Sequence, residues 1–164
     1  MKQERIAIIC VGNVLMGDDA VGIEVYNRLK EGYVFPDNVE LFDCGCMSLN
    51  QINLVRDFDL IISIDALDNT GYPPGSVLRC KPEDMKASSP LKHSLHNLRL
   101  ADLFESALLL GYEAEGICLG MQVESIPVND CKVGLSSSVK ANINALLQAC
   151  ISELSQLGIT PLNR

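Results

Sequence analysis

The sequence predicts an α/β fold: a single three-layer domain over residues 1–164, with a twisted, mostly parallel sheet of about five strands and helices on both faces. Short aliphatic runs alternate with amphipathic segments, as they do when helices connect parallel strands. Two of these runs, residues 5–11 and 58–64, are almost wholly apolar, which is typical of strands buried on both faces. Apolar residues make up 48% of the 164-residue chain, enough for one substantial core.

Five runs predict the strands, because each is short, rich in apolar residues and bounded by polar or turn-forming residues. In chain order they cover residues 5–11, 38–43, 58–64, 76–80 and 117–123. The third run ends at Asp65, and the segment Thr-Gly-Tyr-Pro-Pro-Gly that follows predicts a loop before the fourth strand.

Helices are predicted between these strands. They cover residues 20–31, 48–56 and 94–111, followed by a last helix that begins after Ser136 or Ser137 and is stopped by Gly158 and Pro161. Asp18 or Asp19 is the expected N-cap of the first helix, and Ser136 or Ser137 that of the last. The last helix has the clearest apolar period, which predicts core packing: Leu135, Val139, Ile143, Leu146, Cys150, Leu154 and Leu157. Residues 81–93 lack a period and are expected to form a mobile connection.

Charge and composition exclude several classes of function. The formal net charge is −8 and no Lys/Arg cluster is present, so binding to nucleic acid or to an anionic membrane surface is not expected. The apolar runs are too short to span a bilayer, and the N-terminal residues lack the apolar region of a secretory signal. A cytoplasmic protein is the expectation.

Seven cysteines suit a reducing compartment, in which free thiols behave as small apolar side chains. Four of them lie in predicted strands or helices and are expected to be buried: Cys10, Cys80, Cys118 and Cys150. Cys44 and Cys46 flank Gly45 in a predicted loop. Two thiols in a tight turn are the preferred interpretation, because the chain has no second cysteine pair with the spacing of a zinc site.

The loop after the first strand is the most informative segment of the chain. Residues 11–22 are Val-Gly-Asn-Val-Leu-Met-Gly-Asp-Asp-Ala-Val-Gly. They lack both the glycine spacing of a dinucleotide site and the Gly-Lys-Ser/Thr of a P-loop. The loop instead presents two adjacent carboxylates where an α/β fold places its ligands, so it suits a cation better than a phosphate.

Asp19, Asp65 and His96 are the candidate functional residues. Each has an ordinary alternative: a helix N-cap for Asp19, a loop cap for Asp65, and a hydrogen-bonded structural side chain for His96. Together, however, they follow or precede elements that can meet at one edge of a parallel sheet. The helix dipole favours a neutral imidazole in the first turn, and two carboxylates with one imidazole suit Ni, Zn, Mn or Fe without selecting among them. His93 is the other histidine of the chain.

Residues 12–22 resemble the N-terminal signature of the NiFe-hydrogenase maturation proteases. Further segments follow in that family's order: Asp43-Cys44-Gly45, Ile64-Asp65-Ala66, Pro74-Gly75, Ser94-Leu95-His96, Ala101-Asp102, Glu124-Ser125-Ile126 and Gly134-Leu135-Ser136. Each segment is a modest signal, but the ordered set is specific and covers nearly the whole chain.

The resemblance implies an endopeptidase that removes a C-terminal extension from a hydrogenase large-subunit precursor after nickel insertion. The family's metal-contacting positions correspond to Asp19, Asp65 and His96, which would carry both metal contact and catalysis. Nickel is expected to come with the substrate, which the enzyme would recognise through it. The precursor is the expected partner, the active form is expected to be a monomer, and neither nucleic acid nor a membrane is expected as a partner.

Some roles stay open. Relatives often carry Gly-Gly-Thr or Cys-Gly-Thr where this chain has Cys44-Gly45-Cys46, so Cys46 would contact the substrate differently or add a soft ligand. His93 could assist or replace His96. The nucleophile is not identified, and water activated by the metal or by a carboxylate base would suffice.

Two other functions compete with this interpretation. One is a non-catalytic chaperone that checks the large subunit for nickel while another agent cuts it. The other is a flavodoxin-like binder of a nucleotide or flavin, which the missing phosphate loop and the acidic crevice disfavour.

Overall fold

A five-stranded sheet organises the computed structural model, which describes residues 4–85, 100–127 and 130–164. The strands are β1 (Ile6–Val11), β2 (Tyr33–Val34), β3 (Val39–Gly45), β4 (Leu60–Leu67), β5 (Val77–Cys80), β6 (Glu115–Gln122) and β7 (Leu162–Asn163). The helices are α1 (Val21–Gly32), α2 (Ile52–Asp57), α3 (Leu100–Leu109) and α4 (Ser137–Gln156). Short 3-10 turns cover Gly17–Ala20, Leu49–Gln51 and Pro82–Met85.

The strand order is β3-β1-β4-β6-β5. All neighbouring strands in this sheet are parallel except β5, which runs antiparallel to β6 at the edge. Every residue of β1 and β4 is buried, because both strands are covered on both faces. The predicted fold class, a mostly parallel sheet between helical layers, is confirmed.

Two apolar clusters cover the two faces of the sheet. One packs alternate residues of β1 and β4, such as Ile8 and Ile62, against α1 and α4. The other packs the intervening residues, such as Ile9 and Ile61, against α2 and α3. The last helix packs its predicted apolar stripe against the first cluster as far as Leu154, whereas Leu157 is 40% exposed and lies outside the cluster. Gly158 then adopts the left-handed conformation with a φ of 76°.

Some elements differ from their predicted boundaries. β4 continues to Leu67, so Asp65 lies within the strand, and β3 continues to Gly45, so Cys44 lies in a strand and not in a loop. β2 and β7 were not predicted, because an antiparallel pair of two-residue strands leaves no periodic pattern. Part of the predicted mobile connection, Pro82–Met85, is a 3-10 turn. The remainder of that connection and the predicted helix start at Ser94 lie outside the described residues.

The cysteine predictions hold where burial tests them. Cys10, Cys80, Cys118 and Cys150 are buried, and all seven thiols are free. Burial raises the pKa of Cys150 to about 12, so this thiol stays neutral in the core. No helix in the described part of the chain is long and apolar enough to cross a membrane.

Close packing of α1 against the sheet depends on Gly22. A Cβ atom at this position would lie 2.0 Å from the Val11 carbonyl oxygen and 2.7 Å from that of Ile64. Because both atoms belong to the backbone of central strands, neither can move aside cheaply. A glycine is therefore required where the helix begins over the ends of β1 and β4.

We expect Gly22→Ala to lower the free energy of unfolding by about 2 kcal/mol or more, since the new methyl group must displace backbone atoms. Gly32→Ala is the matched control in the same helix, because nothing lies within 4 Å of the Cβ it would add. It should change stability by less than about 1 kcal/mol, in the stabilising direction. Urea unfolding of both variants measures this, and equal effects would contradict the packing argument.

Candidate active site

The loop between β1 and α1 folds back over the carboxyl ends of the strands. Gly12 N–H donates to the Gly45 carbonyl at 2.8 Å, which ties the start of the loop to the end of β3. A Cβ atom at Gly12 would lie 2.2 Å from the Asp19 carbonyl oxygen. The Asn13 side chain accepts from Leu15 N–H at 3.0 Å and closes a local turn. The glycine and the asparagine thus shape the loop that carries the two aspartates.

Asp19 lies in the 3-10 turn Gly17–Ala20 and is only 1% exposed. Its carboxylate accepts a hydrogen bond from Asn13 N–H at 3.0 Å. Burying a carboxylate costs free energy unless hydrogen bonds or charges compensate. The loop is therefore shaped so that a buried carboxylate at this position is compensated. The turn places it beside the end of β1.

Asp65 lies near the carboxyl end of β4, the neighbour of β1, and is 6% exposed. Its side chain accepts from Ala66 N–H at 2.8 Å. In the sheet register Ile64 is opposite Cys10, so Asp65 stands level with the end of β1. Asp19 and Asp65 therefore occupy the carboxyl ends of adjacent strands, the usual ligand position of such sheets.

Asp18 has a different role from the one predicted. The sequence suggested that Asp18 or Asp19 caps α1, but the N-cap of α1 is Ala20 and no side chain caps it. The preceding 3-10 turn leads directly into the helix, with the Val21 N–H donating to the Asp18 carbonyl. This leaves both aspartate side chains available for other contacts.

The Asp18 carboxylate instead joins three segments of the chain. Its Oδ1 accepts from Ser136 N–H at 2.6 Å, and its Oδ2 accepts from the Ser136 hydroxyl at 2.8 Å and from Glu124 N–H at 3.1 Å. Ser136 is the N-cap residue of α4, as predicted, but its side chain donates to Asp18 and does not cap its own helix. The carboxylate thus fixes the start of α4 and the end of β6 to the loop that carries Asp19.

A second link joins this loop to residues 130–136. Gly17 N–H donates to the Lys132 carbonyl at 2.7 Å, and Lys132 N–H donates to the Leu15 carbonyl at 2.9 Å. Gly17 adopts a φ of 58°, a left-handed conformation that favours glycine. Sequence analysis did not find this link, because backbone hydrogen bonds between distant loops leave no pattern in the side chains.

Gln122 is a further polar residue at the carboxyl end of the sheet that sequence analysis missed. It is buried at the end of β6 and accepts from Thr70 N–H at 2.9 Å, while its amide donates to the Val123 carbonyl at 2.7 Å. A polar residue ending an apolar strand, the signal that singled out Asp65, could have found it. Its role is to hold the loop after β4.

The chain turns at Gly45, where β3 ends, with Cys44 still in the strand and Cys46 just beyond it, so the predicted tight turn containing both thiols is only partly correct. Gly45 has a φ of 52° and its N–H donates to the Asp43 carboxylate at 2.9 Å. Burial, assisted by the negative charge of Asp43, raises the pKa of the Cys44 thiol to about 11. Cys46 is exposed.

The two histidines, His93 and His96, lie outside the described residues. Within residues 4–85, 100–127 and 130–164, no group of three or more His, Cys, Asp or Glu side chains is placed to hold a metal ion. The described part of the site supplies two buried carboxylates, which can contact a cation through oxygen or accept a proton. A third, nitrogen ligand from His96 remains a prediction.

Comparisons with known proteins agree with one another. The family model described as hydrogenase maturation protease matches residues 23–153. The hydrogenase 2 maturation protease of Escherichia coli is 29% identical over 98% of this chain and 96% of that protein. The hydrogenase maturating endopeptidase HybD of E. coli superimposes with a TM-score of 0.83 at 26% identity, over 98% of both chains. The maturation protease HycI of Thermococcus kodakarensis gives a TM-score of 0.71 at 26% identity, over 90% of both chains.

Asp18→Ala should lower the free energy of unfolding by on the order of 3 kcal/mol, because it removes the charged acceptor of the hydrogen bonds from Glu124 and Ser136. Ser136→Ala removes only the hydroxyl donor and should cost about 1 kcal/mol. Urea unfolding compares the two variants. A cost for Asp18→Ala no greater than that of Ser136→Ala would contradict the bridging role.

Cys44 should resist alkylation at pH 8 and become reactive only as the pH approaches its raised pKa of about 11. The sign follows from burial, which disfavours the thiolate and so delays deprotonation to higher pH. Peptide mass mapping after iodoacetamide treatment at several pH values measures the modified fraction. Cys150, with its pKa of about 12, is the buried reference, and rapid labelling of Cys44 at pH 8 would refute the prediction.

Proposed function

This chain belongs to the hydrogenase maturation protease family, and we propose that it cleaves the large-subunit precursor of a NiFe-hydrogenase and removes a C-terminal extension. The family assignment makes it a peptidase that processes a hydrogenase, rather than a chaperone without catalytic activity. The observation that carries the more specific proposal is the pair of buried carboxylates, Asp19 and Asp65, at the carboxyl ends of adjacent strands.

In this proposal, nickel already bound in the precursor is the element that the enzyme recognises. Asp19 and Asp65 contact it through oxygen, and His96 adds a nitrogen ligand. Two carboxylates and one imidazole hold a divalent ion less tightly than a thiolate set, which suits a metal that must leave with the product.

Recognition of nickel would place the scissile peptide bond beside the two carboxylates. A water molecule then attacks the peptide carbonyl, its oxygen forming the new C–O bond while the C–N bond breaks. The proton lost by the water goes to a carboxylate acting as general base and ends on the departing amine. The buried setting of Asp19 and Asp65 fits this role, because water exclusion strengthens the electrostatic contacts of such groups.

Asp65→Asn should abolish processing while the fold is retained, since the amide oxygen can still accept from Ala66 N–H but cannot take up a proton. We expect a rate loss of at least about 100-fold, the usual contribution of a general base. The measurement is the mass loss at the C-terminus of nickel-loaded precursor, with circular dichroism to check folding. Asp19→Asn should behave in the same way.

Asp37→Asn, which changes an exposed aspartate away from the site, is the control and should process at the wild-type rate. Precursor lacking nickel should not be cleaved by the wild-type enzyme. Full cleavage of the loaded precursor by Asp65→Ala would refute the assignment of this residue, and equal cleavage of both precursor forms would refute nickel recognition.

A further inference from the structure

A groove of about 400 Å³ lies between α1 and the start of α4 and has no part in the chemistry above. Val14 and Ala20 contribute to its wall, and both belong to the loop that carries Asp19. Ile23 lines it from α1, and Leu135 from the segment that leads to Ser136. The loop that carries Asp19 therefore forms one wall of the groove.

Apolar side chains are displayed at the mouth of this groove. Val14 and Leu15 are about half exposed, and Val133 is 76% exposed. The backbone hydrogen bonds between Lys132 and the 15–17 segment hold the two loops side by side, so the backbone that carries these side chains is held in place. Exposed apolar groups on a fixed, concave surface mark a binding site more often than a random surface does.

The charge of the groove is opposite to that of the protein. Lys140 lines it and Lys132 stands beside it, and neither ammonium group forms an ion pair with the residues that the structure describes. Glu24, the carboxylate in the lining, is already paired with Arg28 at 2.9 Å. In a chain of net charge −8, such uncompensated lysines favour an acidic ligand.

We propose that this groove binds an extended segment of the hydrogenase substrate in which an apolar side chain stands next to a carboxylate. The apolar side chain packs on Val14 and Val133, and the carboxylate pairs with Lys140. The segment then crosses the 12–20 loop, which orients the rest of the substrate toward Asp19. This inference rests on the proposed function, because it names the part of the substrate that the enzyme holds outside the reacting bond.

Lys140→Glu and Val133→Asp test the groove in a cleavage assay with nickel-loaded precursor. We expect KM to rise about tenfold for Lys140→Glu and about fivefold for Val133→Asp, with kcat within about twofold of wild type, because both residues contribute binding away from the reacting atoms. The matched controls are Lys81→Glu, just after β5, and Leu109→Asp, at the end of α3; neither residue lines the groove, and Leu109 is 89% exposed. Both controls should keep the wild-type KM.

A charge exchange identifies the acidic group. Single Asp→Lys or Glu→Lys changes in the precursor are combined with Lys140→Glu, and restoration of KM by one of them locates a side-chain carboxylate. If the acidic group is the chain-terminal carboxylate, capping it as an amide in a synthetic C-terminal peptide weakens binding to the wild type but not to Lys140→Glu. Failure of every exchange and of the amide test would overturn the pairing with Lys140.

Binding of the precursor to the Asp65→Asn protein, measured by biolayer interferometry, separates the two proposals. Normal cleavage with unchanged KM in both groove variants overturns the groove and leaves the proposed function standing. If the wild type does not cleave the precursor, the proposed function is overturned. In that case the groove is still supported if the Asp65→Asn protein binds the precursor about tenfold more weakly once Lys140→Glu is added. Equal binding with and without Lys140→Glu overturns the proposal that the groove binds the substrate. A dimer in solution that Val133→Asp dissociates also overturns it, because a second copy of the chain would then occupy the groove.

Discussion

The close approach of the loop and helix α1 to the ends of β1 and β4 is the constraint on which the rest of this molecule depends. Gly12 and Gly22 permit it, since a Cβ atom at either position would lie within 2.2 Å of a backbone oxygen. This contact lowers the Gly17–Ala20 turn onto the sheet and buries Asp18 and Asp19. Without it, the aspartates would stand in solvent, and neither the structural link nor the candidate site could form.

The two adjacent aspartates, Asp18 and Asp19, make different contacts and have different roles. Asp18 uses both carboxylate oxygens on Glu124 and Ser136, so it serves structure. Asp19 accepts from Asn13 within its own loop and lies beside the strand end where Asp65 is placed. A charged acceptor that holds three segments is worth more than neutral hydrogen bonds would be. The hydrogen bonds of Asp18 therefore hold the loop that carries Asp19, the residue proposed to contact the substrate.

The charged groups of the molecule suit the proposed function, in which the substrate carries the metal and is held in one orientation. Burial raises the pKa values of Cys44 and Cys150, so both thiols are neutral near pH 7. In the proposed function, the carboxylates of Asp19 and Asp65 contact the nickel of the substrate. On the other side of the same loop, Lys140 lines the groove and forms no ion pair with the residues that the structure describes. The two proposals together give one substrate two points of contact, one for its metal and one for a carboxylate.

The sequence by itself determined the layers of the fold and the residue types at the site, because apolar period and polar residues at strand ends are local patterns. It marked Asp19 and Asp65 for this reason. Only the tertiary structure decided which residue Asp18 would contact, since Glu124 and Ser136 lie more than a hundred residues away along the chain. The same holds for Glu153, a helical glutamate that is buried because Arg79 of β5 pairs with it at 2.8 Å. Polar groups that are distant in the sequence pair only because the folded backbone brings them together, so no local sequence pattern predicts these pairs.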